Sequence, residues 1–382
     1  MFIAHTARNM VARSFSTTGA AASKYSRTHF LDQLKAGVVI GDGGYLFCLE
    51  HRGYMQAGPW TPQCVVEHPD AVTQLHKEFK RAGCDVLQAL TFYGTEDKMA
   101  RQGVSDAHTS TNILACDLAN DVAGNDMLVA GTITQCPAGE LLRDGKCSEE
   151  DVADQFRRQL QLQYDAGIDF LMLEYFERLQ EMLVALKVAK EFNLPIMACM
   201  SIGPGGDENG VPCDEIAGSL IDGGACVIGS QCFFDPEVTL DTVAAMKKGV
   251  PDGELNKSVF LGCQPVAFQT QCPETNFLKL PEYPLAMERR LLTRHEVMNF
   301  AKEASDMGVR YIGGCCGFEP YHMRAVAEAL GQTTPSSDKS PLLSDAISPF
   351  LRNRAPEEYW NDLAQGKGGY PKQTNMFPRP PQ

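Results

Sequence analysis

The chain has 382 residues, of which 44% are hydrophobic, and its formal net charge is −14 at pH 7. This charge argues against nucleic acids and anionic membranes as partners, because both bind basic surfaces. No apolar stretch is long enough to span a bilayer.

Residues 1–28 form a basic leader. They contain no acid and carry Arg8, Arg13, Lys24 and Arg27 among Ser, Thr and Ala. This composition is typical of a mitochondrial transit peptide, which would direct the chain to the matrix. A tail that is never cleaved is the alternative.

Eight short apolar runs follow the leader, and longer amphipathic stretches separate them. The runs are 38–44, 84–93, 127–133, 168–176, 195–202, 225–233, 257–265 and 309–317. They are continuously apolar, as expected for parallel strands covered on both faces. Eight strands alternating with helices predict an α/β fold, a TIM-type (β/α)8 barrel over residues 29–330. A doubly wound open sheet is the alternative, but no GxGxxG motif follows the first strand.

The stretches between the runs have helical periodicity. One predicted helix buries a face formed by Leu179, Met182, Leu183 and Leu186. Four glycines stand just before strands, where a helix would end in a left-handed residue. They are Gly83, Gly167, Gly224 and Gly308.

Residues 331–382 differ from the barrel region. They are rich in Pro, Ser and Gly, with aromatic residues at intervals. This pattern predicts an extended C-terminal arm that docks on another subunit. A partly disordered tail is the alternative.

The 14 cysteines have no disulfide-framework spacing, so most are predicted to be free thiols in the core. Three of them are placed differently. Cys232 ends strand 6, and Cys315 and Cys316 end strand 8, and the carboxyl ends of barrel strands form the active site. Three thiolates suit zinc and leave a fourth position for substrate. Nearby glycines would let both adjacent sulfurs turn toward one ion; the alternative is a pair of buried thiols in a glycine-rich turn.

Two acids end otherwise apolar strands. Asp42 and Glu174 would bind a substrate ammonium, while the amides of Gly43 and Gly44 would bind its carboxylate. Helix caps or solvated rim groups are the alternative roles for these acids. Beside a thiophilic metal, this arrangement fits an amino acid that carries a thiol.

Aromatic residues lie at strand ends and in early loops. Trp60, Tyr93 and Tyr175 could face an onium cation, which aromatic rings attract by about 0.5–2 kcal/mol each. Phe92 is explained more simply by core packing.

Several segments resemble the zinc-dependent homocysteine S-methyltransferase family, in particular its betaine-using branch. The resemblance runs from about residue 30 to about residue 372. The segments are GDGGYLFCLEHRGYMQAGPWTP (41–62), LTFYGTEDK (90–98), LEYFE (173–177), CFFDP (232–236) and VRYIGGCCGFEPYHMRAVAE (309–328).

The resemblance implies methyl transfer from betaine to homocysteine, giving methionine and dimethylglycine. It implies one zinc ion per subunit, held by Cys232, Cys315 and Cys316, and Tyr93 and Glu174 as the catalytic residues. The implied substrate-binding residues are Asp42, Gly43, Gly44, Trp60, Glu174, Tyr175 and Gln264. It also implies a cytoplasmic homo-oligomer, a dimer or a tetramer, assembled partly through the C-terminal arm.

The chain departs from the family pattern at the first zinc cysteine. Gln231-Cys232-Phe233 stands where the family usually has Asn-Cys-His. The longer side chain of Gln231 is expected to shift a hydrogen bond near homocysteine or the donor. Two alternatives stay open: S-methylmethionine as the methyl donor, and a zinc-binding barrel without activity.

Overall fold

The computed structural model describes residues 26–270 and 275–332. Nearly all of the predicted leader and of the predicted C-terminal arm therefore lies outside the described residues.

Eight parallel strands form one sheet that curves into a barrel, which confirms the predicted fold. The strands are β1 (Val39–Ile40), β2 (Val86–Gln88), β3 (Leu128–Ile133), β4 (Phe170–Phe176), β5 (Ile196–Met200), β6 (Val227–Gln231), β7 (Phe260–Gln264) and β8 (Val309–Ile312). Their order is β1-β8-β7-β6-β5-β4-β3-β2. At the seam between β1 and β2, the Asp85 N–H donates to the carbonyl of Ile40 at 2.8 Å, and the Ile40 N–H donates to the Asp85 carboxylate at 2.8 Å.

Helices surround the strands. Within the described residues the α-helices are α1 (Phe30–Ala36), α2 (Tyr45–His51), α3 (Cys64–Glu67), α4 (Pro69–Ala82), α5 (Glu96–Arg101), α6 (His108–Ala123), α7 (Pro137–Arg143), α8 (Glu149–Asp165), α9 (Leu179–Ala189), α10 (Cys213–Asp222), α11 (Pro236–Lys247), α12 (Arg294–Met307) and α13 (Pro320–Ala329). Short 3-10 helices cover Ser105–Ala107, Lys190–Phe192, Phe277–Lys279 and Met287–Arg290. None of the helices described here is long and apolar enough to cross a membrane.

The predicted helix ends are confirmed, and one predicted helix face is wrong in part. All four glycines that precede strands have φ between 86° and 101°, so each ends its segment in the left-handed conformation. In α9, Met182 and Leu186 are buried, but Leu183 is 38% exposed. The buried face also includes Ala185 and Ala189, which follow Met182 at helical spacing and so lie on the same side of the helix.

The segment before β1 closes the amino-terminal end of the barrel. Phe30 stacks on Phe170 with ring centroids 3.9 Å apart. Arg27 pairs with Asp169 at 2.7 Å, and its guanidinium also donates to the side chain of Asn120 at 2.9 Å. The opposite end, where the strands terminate, is left for the site.

Candidate metal centre and substrate pocket

Three sulfurs converge at the carboxyl end of the barrel. The Sγ atoms of Cys232 and Cys316 are 3.9 Å apart, as are those of Cys315 and Cys316. All three lie within 4.8 Å of one another, and across residues 26–270 and 275–332 no other such cluster of potential metal ligands occurs. A tetrahedral zinc ion with Zn–S bonds of about 2.3 Å separates its sulfurs by about 3.8 Å. The cluster can therefore hold a metal ion, and its spacing fits zinc.

The backbone around the cysteines is irregular, as their convergence requires. β8 ends at Ile312, so the strand predicted to reach residue 317 is too long, and both cysteines lie in the turn that follows. The Cys315 N–H donates to Pro265 O at 2.8 Å, which fixes this turn against the segment after β7. Gly317 has φ 83°, and a Cβ there would lie 2.5 Å from the Phe268 ring. Only glycine fits at this position.

Backbone strain is concentrated at this end of the barrel. Seven non-glycine residues in the described part of the chain have positive φ, a conformation that costs free energy and tends to persist at functional sites. Four of them are predicted site residues, namely Trp60, Tyr93, Tyr175 and Cys232, and a fifth, Phe233, directly follows Cys232. Most of the positive-φ strain among the described non-glycine residues therefore lies at or beside predicted site residues.

Two buried carboxylates lie beside the sulfurs. Glu174 accepts hydrogen bonds from Thr132 Oγ1 at 2.7 Å and from the side-chain amide of Gln88. Asp42 accepts from the Gln88 N–H at 2.7 Å and from the Tyr45 hydroxyl at 2.8 Å. Gln88 therefore connects the two acids, and sequence reasoning missed it because nothing in its local pattern signals this role.

Burial governs the charge of both acids. Desolvation raises the pKa of Asp42 to about 7, and hydrogen bonds from Gln88 and Tyr45 partly oppose the shift. Desolvation likewise raises the pKa of Glu174 to about 7, against hydrogen bonds from Thr132 and Gln88. Asp42 Oδ1 is buried without a hydrogen-bond partner. A cation entering here would favour the ionised carboxylates and satisfy this oxygen.

A pocket lies between Glu174 and the cysteine pair. Gly43, Gly44, Glu174, Cys315 and Cys316 all line it. The Gly44 N–H already donates to Phe318 O at 2.9 Å, so this amide is not available for the substrate carboxylate that the sequence assigned to it. Gly44 also lets the turn that carries Cys315 approach closely, since a Cβ on Gly44 would lie 2.8 Å from the carbonyl carbon of Cys315.

Aromatic rings form one wall near the sulfurs. Tyr175 meets Tyr93 edge to face at 5.9 Å and Phe233 at 5.3 Å. Burial, followed by the nearby groups Tyr93, Cys232 and Cys316, raises the pKa of Tyr175 well above its usual value. The Tyr175 hydroxyl therefore stays neutral at physiological pH. Phe92 packs against Tyr93 at 4.4 Å.

Two other predicted residues occupy different surroundings. Trp60 is only 8% exposed and stacks on Phe47 at 5.2 Å, so it is packed within the aromatic core at this end of the barrel. Gln264 is buried and does not line the pocket, and its Nε2 lies 3.8 Å from the sulfur of Met172. Its backbone carbonyl accepts the Cys232 N–H at 2.8 Å. Gln264 thus contacts Cys232 through its main chain.

One glutamine contacts both halves of the site. Nε2 of Gln231 lies 3.0 Å from Glu174 Oε2 and 3.0 Å from the Sγ of Cys315. The sequence marked Gln231 only as a departure from a family pattern. Its role depends on how β4, β6 and the turn after β8 meet, which no local motif shows.

The fold and the site define a (β/α)8 barrel with a three-cysteine cluster able to hold a metal ion. Beside the cluster is a pocket lined by the buried Glu174, which Gln88 links to a second buried carboxylate, Asp42. The sequence model of the homocysteine S-methyltransferase family matches residues 39–330. The chain belongs to this family.

Curated relatives agree with this assignment. Betaine–homocysteine S-methyltransferase 1 of Mus musculus is 44% identical over 362 residues, which cover 91% of this chain and 88% of that protein. The S-methylmethionine–homocysteine S-methyltransferase of Mus musculus is 43% identical over 359 residues, covering 91% of this chain and 96% of that protein.

A solved structure shares the fold. The metallated form of the homocysteine methyltransferase MmuM from Escherichia coli superposes with a TM-score of 0.60 at 20% identity. The match covers 76% of this chain and 96% of that one. At this identity the likeness bears on the fold alone.

Proposed function

We propose that this chain transfers a methyl group from betaine to homocysteine, giving methionine and dimethylglycine, with zinc held by Cys232, Cys315 and Cys316. The observation that carries the proposal is the convergence of three sulfurs, two of which line a pocket together with the buried carboxylate of Glu174. Gln88 joins Glu174 to the second buried carboxylate, Asp42. This pocket suits an amino acid with a thiol at its far end. The activities named for the relatives from Mus musculus support homocysteine as the acceptor.

Asp42 and Glu174 hold the amino end of homocysteine. A substrate ammonium would pair with Asp42 Oδ1, which lacks a partner in the described structure, and with Glu174. Charged hydrogen bonds of this kind are roughly twice as strong as neutral ones. Binding in this orientation directs the homocysteine sulfur toward the cysteine cluster.

The nucleophile in this reaction is a thiolate, and a free thiol is mostly protonated at pH 7. Zinc held by Cys232, Cys315 and Cys316 would lower the pKa of a thiol at its fourth position, so the protein would need no general base for this purpose. The chain's own residues exclude water and align the reactants. Such alignment can lower the barrier by about 7–11 kcal/mol.

The aromatic wall orients the methyl donor. Tyr175 would present its ring and neutral hydroxyl to a trimethylammonium group, which such a ring attracts by about 0.5–2 kcal/mol. Tyr93 would offer the ring face opposite the Lys98 ammonium, which lies 3.9 Å from the ring centroid. The nitrogen of dimethylglycine loses its positive charge as the methyl group leaves, so the attraction to the rings weakens until that nitrogen takes up a proton.

S-methylmethionine is the second candidate donor. The relative named for that donor is 43% identical to this chain and the relative named for betaine is 44% identical, so overall similarity does not separate them. A sulfonium also suits the aromatic wall. Methionine formation from homocysteine with each donor alone, measured on the purified protein, decides between them.

The test of the metal assignment is Cys316→Ala. We expect this variant to lose bound zinc and all methyl transfer. Cys116→Ala, which removes a buried thiol from α6 far from the cluster, is the control and should keep both. Normal zinc content and activity in Cys316→Ala would overturn the assignment, whereas zinc binding in the native protein without methyl transfer would favour an inactive zinc-binding barrel.

Assembly and compartment remain sequence predictions. We infer a homo-oligomer, dimeric or tetrameric, whose contacts include the arm at 331–382. The compartment is the cytoplasm by resemblance to the family, or the mitochondrial matrix if the leader is a targeting signal. Both segments lie almost entirely outside the described residues.

A further inference from the structure

Gln231 lies between the metal site and the amino-acid site, and we infer that it is a positioning residue that couples them. The inference rests on the proposed function, because it assigns the sulfurs to a metal and Glu174 to homocysteine. It adds a residue whose side chain fixes the position of Cys315, a proposed metal ligand, relative to Glu174, a proposed substrate ligand.

The side-chain amide of Gln231 uses all of its hydrogen-bonding capacity. Nε2 donates to Glu174 Oε2 and to Cys315 Sγ, each at 3.0 Å. Oε1 accepts from the Tyr175 N–H at 3.1 Å and from Ser201 Oγ at 3.2 Å. A glutamine amide has two donor hydrogens and two acceptor lone pairs, so every position is filled.

This pattern fixes the orientation of the amide. A flip would place Oε1 against the Glu174 carboxylate and would place the NH₂ group against the Tyr175 N–H. Acceptor would then face acceptor, and donor would face donor. The two bonds to Oε1 therefore hold Nε2 in place to donate, and Gln231 itself is completely buried.

The contact with Cys315 would act on the metal site. An N–H donor stabilises a thiolate that bears negative charge and restricts the direction in which the sulfur points. Hydrogen-bonding partners of metal ligands typically change metal affinity or activity by about 10- to 100-fold when they are mutated. The other hydrogen of the same NH₂ group holds Glu174, so a displacement of Gln231 moves both groups.

The length of the side chain matters to this coupling. Gln231 is the last residue of β6, immediately before Cys232, and its amide reaches across the barrel mouth to Cys315 in the turn after β8. An asparagine has one methylene fewer and cannot reach the same four partners from the same backbone position. The bonds to Glu174 and Cys315 therefore depend on the length of the Gln231 side chain.

The experiment compares native protein with Gln231→Met, which keeps the length of the side chain and removes all four hydrogen bonds. Zinc affinity is measured by competition with a chromophoric chelator, without substrates. We expect affinity to fall by about 10-fold or more. Steady-state kinetics should show the homocysteine KM rising about 10-fold and the betaine KM changing less than twofold.

Gln159→Met is the matched control. Gln159 is also a fully buried glutamine, but its amide bonds to Thr91 O at 2.9 Å and Asn112 Oδ1 at 3.1 Å, away from the sulfurs. It should lower thermal stability and leave zinc affinity and both KM values unchanged. This control separates a specific effect on the site from a general loss of buried hydrogen bonds.

The outcomes separate this inference from the proposed function. Unchanged zinc affinity and an unchanged homocysteine KM in Gln231→Met overturn the positioning role while methyl transfer by the native protein stands. Equal losses in Gln159→Met also overturn it. If the native protein forms no methionine, the proposed function fails, but the chelator competition still reports whether Gln231 supports the metal site.

Discussion

The Tyr45 hydroxyl donates a hydrogen bond of 2.8 Å to Asp42 Oδ2 and lies 2.7 Å from Nδ1 of His76. A phenol has one hydrogen to donate. When that hydrogen goes to the ionised Asp42, His76 must donate from Nδ1, which leaves Nε2 as the bare nitrogen. Nε2 has no partner in the described structure, which suits the unprotonated nitrogen. The three side chains therefore form a chain of hydrogen bonds that ends on the carboxylate assigned to homocysteine.

Tyr45→Phe should weaken homocysteine binding. The variant removes one of the two hydrogen bonds to Asp42 Oδ2 and leaves only the Gln88 N–H. We expect the homocysteine KM to rise about tenfold, equivalent to ~1.4 kcal/mol, as for the loss of one hydrogen bond to a charged group. Steady-state kinetics with each substrate varied in turn measure this change. An equal rise in the betaine KM would contradict a role specific to Asp42.

His76 should make folding stability depend on pH. Burial lowers the pKa of His76 to about 3, below the usual 6.5. The unfolded chain therefore binds more protons at this residue, so stability is fully present above pH 6.5 and falls as the pH drops toward 3. The loss is about 1.4 kcal/mol per pH unit, or about 2 kcal/mol at pH 5.

The His76 contribution can be separated by mutation. Asp42 acts in the opposite direction, because its pKa is raised to about 7 and its contribution to stability declines as the pH rises from about 4 through 7. His76→Asn keeps a donor near the Nδ1 position and does not titrate. Denaturant unfolding between pH 5 and 7.5 should show a smaller loss of stability on the acid side in His76→Asn than in native protein. Parallel curves for the two proteins would count against the lowered pKa.

The barrel and the sulfur cluster could be predicted from sequence because each depends on short, local patterns. Continuous apolar runs mark parallel strands, and all carboxyl ends of a closed barrel meet at one mouth. Cys232 and Cys315 could thus be placed near each other although 82 residues separate them along the chain. The strand lengths were less predictable, because apolar residues continue past Gln88 and Ile312 into buried loops.

The hydrogen-bond network behind the site could not be predicted. Tyr45 is the first residue of a helix, and its local sequence predicts only a core aromatic. The local sequence of Gln88 and Gln231 predicts only polar residues at the ends of strands. Their roles depend on side-chain reach between elements that are distant in sequence. The hydrogen bond of the Gly44 amide could not be predicted for the same reason, since its partner Phe318 lies far along the chain, in the loop before α13.

Arg27→Met should destabilise the protein without affecting methyl transfer. The Arg27 side chain is 3% exposed and pairs with Asp169 at the amino-terminal end of the barrel, opposite the site. Removing it leaves a largely buried carboxylate without its cation, which typically costs about 3–5 kcal/mol. Urea unfolding measures this loss. Arg157→Met, which breaks more exposed ion pairs with Glu150, Asp154 and Glu191, should cost less than about 1 kcal/mol.

Gly44→Ala should damage the metal site by steric contact alone. Gly44 has φ −87°, a conformation open to any residue, but a Cβ there would lie 2.8 Å from the carbonyl carbon of Cys315 and 3.0 Å from Cα of Cys316. The turn that carries both cysteines would have to move. We expect lower zinc content and a loss of about 1–3 kcal/mol in the free energy of unfolding. Gly37→Ala is the control, since a Cβ on Gly37 meets nothing within 4 Å. Zinc content that stays normal in Gly44→Ala would show that the turn yields without displacing its sulfurs, and would contradict the close fit described for this site.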